Sequence, residues 1–479
     1  MKKKINIILL FASIVLLSIF NENENIFILT AFIGSIIGVY YILIFIRQPN
    51  LIRFANIMAV SLLLGYALST TVYVGGRLLS DQNMDLTSNF FGLGYYQSDL
   101  SIALLLVYLT CIILFFLARL EKPIFNQQHR TNIFASSRSR LLIWVGMSMV
   151  FCAFALGDIG YMGVQLDESL NISPFGAVTF LLAPILMPLT ALSFFEETSV
   201  NRRILLSLTF VFFLVVLFPL GRRVLLSSFL LLLISFVVSE KNIQKFSLIK
   251  WTGSAFTATL TILICYLAFQ FFFALRTSVD YLGQETTFLT LLSNTFNLLQ
   301  FEYSDIEFRL ADNIRERPFI LSYLAAFICA QSTYPPLYGE ELIYAIKIAI
   351  PSLFFPSKTL LLPGSPEEFV HPAFGFYIFD GPNTIITAGL NDFGLIGILI
   401  YPIILATIYI AIRRFLQDRL PQFIYYLVMF RLIYQIFYIE QSLAGMITVG
   451  LRDLAIITSI YYFIWKLPSI LKNSYKYRY

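Results

Sequence analysis

Long apolar runs, each ended by a short polar break, dominate the chain. A helix that crosses a bilayer needs roughly 20 mostly apolar residues. Twelve runs approach that length, over about 5–20, 26–46, 52–74, 100–118, 141–157, 174–195, 204–220, 224–239, 251–275, 385–412, 421–439 and 444–466. The pattern predicts an all-α, polytopic membrane protein of about twelve transmembrane helices. Met1-Lys2-Lys3-Lys4 before the first run looks like the start of a signal peptide. The run ends in Asn21-Glu22-Asn23-Glu24-Asn25 rather than in a small-x-small cleavage site, so it reads as a retained helix.

The spans alternate the sides of their loops, and charge tests the alternation. With the N-terminus in the cytoplasm, the inner segments hold 22 Lys/Arg and 5 Asp/Glu. The outer segments hold 9 Lys/Arg and 21 Asp/Glu. A single missed span would invert every later loop and erase this contrast. Both termini are therefore expected in the cytoplasm. The expected organisation is transmembrane helices 1–9 over 1–275, a large outer loop over 276–384, and helices 10–12 with a cytoplasmic tail over 385–479.

The loop of 109 residues is the one break in the rhythm. A helical stripe begins near Asp305, with Ile306, Leu310 and Ile314 on one face. The apolar stretches 319–330 and 342–355 are too short to span and read as helices on, or dipping into, the outer membrane face. Long ordered loops are commonly lids or binding regions.

Composition agrees with the pattern. The 479 residues are 58% hydrophobic and 13% charged, too few charges to cover a soluble domain of that size. The net charge of +5 is scattered and gives no nucleic-acid footprint. Four dispersed cysteines contain no Cys-x-x-Cys pair, so neither a zinc nor a redox motif is indicated. The loop carries 6 basic and 12 acidic residues beside Tyr323, Tyr334, Tyr338, Phe374, Phe376, Tyr377 and Phe379. Such aromatics can stack on sugar faces; the plainer reading is an interfacial aromatic belt.

Gly221-Arg222-Arg223 forms a tight turn on the outer side, where basic residues are few. Paired guanidinium groups suit a pyrophosphate, because each makes bidentate bonds to phosphate oxygens. Lipid headgroups would satisfy them equally well. Arg276 and Arg317 in the loop are secondary candidates for the same work, with solvated charge as their ordinary role. The tenth span is led in by Gly381-Pro382-Asn383-Thr384 and contains Gly389-Leu390-Asn391-Asp392-Phe393-Gly394-Leu395-Ile396-Gly397. Together with the large outer loop before it and the Gly-Arg-Arg turn, this resembles the Wzy-type polymerases of O-antigen and exopolysaccharide repeat units.

The resemblance implies a membrane glycosyltransferase of the bacterial inner membrane. It would move a growing glycan from its undecaprenyl-pyrophosphate carrier to an incoming lipid-linked repeat unit on the outer face. It implies no cofactor, no metal and no nucleotide sugar. The partners would be the lipid-linked oligosaccharide, membrane lipids and a chain-length regulator protein. The leaving group is already a pyrophosphate, so the enzyme needs cations to hold it and a base for the acceptor hydroxyl. Asp392 is a candidate base, since an acid inside a span is a functional candidate by default; a structural pairing is its other reading. The related O-antigen ligases place a His near the end of the loop and then an Asn at the start of the next span. Here His371 and Asn383 stand twelve residues apart rather than adjacent. His371 is a candidate base near neutral pH, and Asn383 a candidate substrate ligand.

Three further features complete the reading. Asp305-x-Glu307 resembles a metal-holding acid pair, but Asp305 and Arg309 stand at i and i+4, as in an ordinary solvated ion pair. Arg431 lies mid-span, and Arg452 and Asp453 lie about two turns from the outer surface. A buried pairing of Arg431 with Asp453 or Glu440 is one expectation; Arg452 lining a lipid-phosphate cavity is the other. A transporter or lipid-linked oligosaccharide flippase has the same span count. Carriers commonly show matching halves, whereas the giant loop here occurs once.

Overall fold

The computed structural model describes residues 2–79, 93–125, 137–155, 189–217, 288–301, 319–350, 366–377, 381–437 and 440–466, with isolated positions between. Among them every regular element is helical and there is no strand. Among the described residues, four helices are long and apolar enough to cross a membrane: Glu24–Phe45, Phe54–Leu78, Gln97–Leu120 and Leu395–Gln417. Shorter apolar helices lie at Ile5–Ile19, Arg140–Ala153, Ile320–Ala330 and Ile424–Phe437. This is the architecture of an all-helical membrane protein. Most of the expected spans at 174–195, 224–239 and 251–275 lie outside the described residues.

The chain divides into two compact units, Met1–Gln128 with Arg315–Tyr479, and His129–Ile314. The first unit holds α1 (Lys2–Ile19), α2 (Glu24–Arg47), α3 (Phe54–Leu62), α4 (Ser69–Leu79) and α5 (Gln97–Leu120) from the N-terminal part of the chain. In the second lie α6 (Ser137–Ala155), α7 (Val200–Leu217) and α8 (Phe288–Phe301). The first unit resumes with α9 (Ile320–Ala330), α10 (Glu340–Ala349), α11 (Pro366–Ala373) and α12 (Ile385–Phe393). It ends with α13 (Leu395–Gln417), α14 (Gln422–Phe437) and α15 (Leu443–Tyr461).

Helix α5 is the hub of the first unit and packs against α1, α3, α9 and α13. Apolar contact cannot drive helices together in lipid, so close packing and buried polar bonds do that work. The Tyr108 hydroxyl donates to the Thr30 carbonyl at 2.7 Å, and the Ser101 hydroxyl to the Asn21 carbonyl at 2.6 Å. Helix α9, from the large loop, is buried along 320–328 rather than laid on a surface. Its sequence, ILSYLAAFICA, is apolar on every side, which suits a helix enclosed by others.

At one end of this unit the Glu121 carboxylate accepts from the N–H groups of Phe54 (3.0 Å) and Ala55 (3.2 Å), capping α3 from outside. Arg413 Nη1 donates to the Lys122 and Pro123 carbonyls, both at 2.8 Å. The charge pattern assigns all these segments to one side, and they do gather together.

The single run expected over 385–412 is two helices. Gly394, at φ 66°, reverses the chain, and its N–H still bonds the Leu390 carbonyl at 2.8 Å. That φ is one L side chains rarely adopt. Helices α12 and α13 then pack backbone to backbone: a Cβ on Gly389 would collide with the Gly397 carbonyl oxygen, and one on Gly397 with that of Gly389. The apolar run concealed a short helix folded back on a long one.

Candidate functional site

The site lies where the large loop meets this hairpin. Thr384 caps α12: its hydroxyl oxygen accepts from Thr387 N–H at 3.1 Å, and the Thr387 hydroxyl oxygen accepts from Thr384 N–H at 2.7 Å. That reciprocal cap fixes the preceding Asn383. The Tyr323 hydroxyl, from α9, donates to Asn383 Oδ1 at 2.8 Å and stands 2.5 Å from His371 Nε2 on α11. A hydroxyl has one proton to give. With that proton on Asn383, the His371 Nε2–H is the donor to Tyr323.

The His and the Asn, twelve residues apart in the chain, are thus joined through a single oxygen. His371 is 1% exposed, Asn383 4% and Tyr323 0%, so the chain of bonds is closed to solvent. The rings of Phe327 and Tyr323 meet the imidazole with centroids 6.1 and 5.9 Å away, and Phe374 packs on Phe327 in turn. Gly381 gives Tyr323 its room, since a Cβ there would lie 2.8 Å from the ring.

One further contact comes from the third span. A π-helical turn, Leu63–Leu68, interrupts the passage from α3 to α4, and its Tyr66 hydroxyl lies 2.7 Å from Thr384 Oγ1. Single π turns within α-helices are often found at functional sites.

Asp392 occupies a second cluster. Its oxygens accept from Glu341 N–H at 2.9 Å and Leu342 N–H at 3.0 Å, the first turn of α10, and from the Tyr401 hydroxyl. A carboxylate at a helix N-terminus satisfies orphan donors and meets the positive end of the dipole. Asn391 Nδ2 donates to Glu341 Oε2 at 2.9 Å, Leu337 N–H to the Asn391 carbonyl at 2.8 Å, and Gln331 Nε2 to the Leu390 carbonyl at 2.6 Å. The hairpin and the 331–342 segment of the loop are therefore tied together by five bonds of different kinds. Both Asp392 oxygens are engaged in this arrangement.

Arg222, Arg223, Arg276 and Arg317, and the Asp305/Glu307 pair, lie outside the described residues. Arg452 and Asp453 are on α15, but their side chains also lie outside them. Arg431 on α14 is buried, with its guanidinium 5.2 Å from the Tyr434 ring centre. The described loop aromatics differ in exposure. Tyr323 and Phe374 are core, whereas Tyr334, Tyr338 and Tyr377 are exposed.

Sequence reasoning missed Tyr66, Glu341, Asn391 and Tyr401, and took Tyr323 for a stacking surface. One signal was present: Tyr323 and Ser322 are the polar-tipped residues in an otherwise apolar stretch, and a buried tyrosine hydroxyl needs a partner.

Comparison with protein-family models, with curated proteins and with solved structures gives no match.

Proposed function

We propose that this protein is a membrane glycosyltransferase that polymerises lipid-linked oligosaccharide repeat units on the outer face of a bacterial cytoplasmic membrane. The observation that carries the reading is the His371–Tyr323–Asn383 chain of bonds, formed where the large loop joins the α12–α13 hairpin. In this reading the acceptor hydroxyl oxygen attacks the anomeric carbon and the bond from that carbon to the pyrophosphate oxygen breaks. His371 takes the hydroxyl proton, and the lipid pyrophosphate leaves with the bonding pair; Arg222 and Arg223 are the cations that the sequence offers to an outer-side pyrophosphate. Asn383 orients His371 through Tyr323. Asp392 holds the loop to the hairpin. Arg276, Arg317 and Arg452 are supporting anion ligands. Because His371 is buried, substrate reaches it only when 366–377 lifts from α9, which couples loop movement to turnover.

The juxtaposition of His371 and Asn383 also favours a second reading, an O-antigen ligase with the same bond chemistry and a different acceptor. Purified protein supplied with lipid-linked repeat units alone separates the two. A ladder of longer glycans supports the polymerase. A single transfer, seen only when a non-homologous lipid acceptor is added, supports the ligase. No transfer in either case removes both.

A further inference from the structure

The second unit holds a cleft of about 510 Å³ between α6 and α7, within the ~300–1,000 Å³ range of small-molecule sites. Its walls include Leu141, Trp144 and Leu205, all exposed, and its head is formed by Arg140 and Arg202. Between those two arginines lies Glu197, which is buried.

Two observations argue for a ligand here. The first is the state of the arginines. Glu197 Oε1 already accepts from the N–H groups of Thr198 (3.0 Å) and Ser199 (3.3 Å). Arg202 and Arg140 stand 3.7 and 4.0 Å from its other oxygen, beyond hydrogen-bond reach. Among the described residues neither guanidinium makes a hydrogen bond, so the donors of both forks face the cleft or water. Counting these three side chains, the head of the cleft keeps one net positive charge.

The second is the order of chemistry along the helices. Arg140 precedes Trp144 by one turn of α6, and Arg202 precedes Leu205 and the apolar body of α7. Charge, then indole, then hydrocarbon is the order of a membrane interface. The positive-inside pattern sets this interface at the cytoplasmic leaflet.

We infer that the α6–α7 cleft binds an anionic phospholipid of the cytoplasmic leaflet, with its phosphate between Arg140 and Arg202 and an acyl chain along Leu141, Trp144 and Leu205. Basic pockets between transmembrane helices on that side are suited to anionic headgroups. This site is independent of the glycosyltransferase reading, because it uses none of the same residues.

Trp144 supplies the readout. Of the three tryptophans, Trp251 and Trp465 can be replaced by Phe, leaving Trp144 as the single emitter. The full-length protein is reconstituted in vesicles of phosphatidylcholine containing a minor fraction of acyl-brominated phosphatidylglycerol or acyl-brominated phosphatidylcholine. Brominated phosphatidylglycerol is expected to quench Trp144 at markedly lower mole fraction, with about fivefold in relative affinity from each arginine. Arg140→Gln with Arg202→Gln should abolish the preference, and Arg140→Lys with Arg202→Lys should keep it in part. Equal quenching by both lipids would overturn the inference. So would a preference that survives in the Gln variant, or one lost equally in the Lys variant. Quenching by neither lipid would mean that protein covers the cleft, and would overturn it as well.

Discussion

The Tyr323 hydroxyl is the single atom on which the candidate site turns. Replacing it with hydrogen, as in Tyr323→Phe, leaves the His371 Nε2–H and Asn383 Oδ1 without the bonds made here. Each hydrogen bond lost between buried neutral groups costs about 0.5–1.5 kcal/mol. Tyr323→Phe is therefore expected to lower thermal stability in detergent, and to lower glycan transfer further than the stability loss explains. Unchanged melting and unchanged transfer would show the bonds to be incidental. In the Gly221-Arg222-Arg223 segment, Arg222→Ala or Arg223→Ala should each cost on the order of tenfold or more in transfer, since one charge-assisted bond is worth about 1.5–3 kcal/mol. Lys at either position should restore only part, because it keeps the charge and loses the fork. Wild-type chain lengths in both Ala variants would leave the two arginines as headgroup anchors. His371, Asn383 and Asp392 were legible in the sequence as candidates. Their partners were not, because a hydrogen bond between α9 and α11 has no periodicity to read.

The α12–α13 hairpin rests on backbone contact that only glycine permits. Gly389→Ala and Gly397→Ala are each expected to prevent the hairpin from closing, with a marked loss of folded protein in size-exclusion chromatography. Gly75 on α4 is the control: no atom lies within 4 Å of a Cβ built there, so Gly75→Ala should be neutral or stabilise by about 0.5–1 kcal/mol. Normal yield from both hairpin variants would contradict the packing described. Apolar periodicity could not reveal this reversal. Residues 385–412 are predominantly apolar on both sides of the turn, and a Gly at positive φ looks in sequence like any packing glycine. The junction of α3 and α5 makes a different prediction. Burial is the largest influence on the Glu121 carboxyl and pushes it above its ordinary value of 4.5, against the N–H groups of Phe54 and Ala55 and the Arg413 and Arg53 charges. A raised folded-state value means that the folded protein holds the proton more tightly. The contribution to stability is then full below about the unfolded value and is lost as pH rises through the folded one. Measured against Glu121→Gln, which does not titrate, the wild-type protein should lose relative stability from acid toward neutral pH. A relative gain over that interval would show the carboxylate to be favoured where it sits.

At the scale of the whole molecule, hydropathy and charge were enough to recognise an all-helical membrane protein, because lipid imposes span length and helical hydrogen bonding on any sequence. The same signals placed α9 in the outer loop and could not tell that it is enclosed by the bundle, since a short apolar helix reads alike on a surface and in a core. No metal-binding motif stands out in the sequence, so a chelator is expected to leave transfer intact. Transfer lost to chelator and restored by magnesium or manganese would move Asp305 and Glu307 to the centre of the mechanism. The central claim is that this bundle elongates lipid-linked glycans through His371. Its most direct test is elongation by purified wild-type and His371→Ala protein, given undecaprenyl-pyrophosphate-linked repeat units and compared at equal amounts of folded protein. The account predicts a ladder of glycans for the wild type and none for the variant; an equal ladder from both, or no elongation by the wild type, would contradict it.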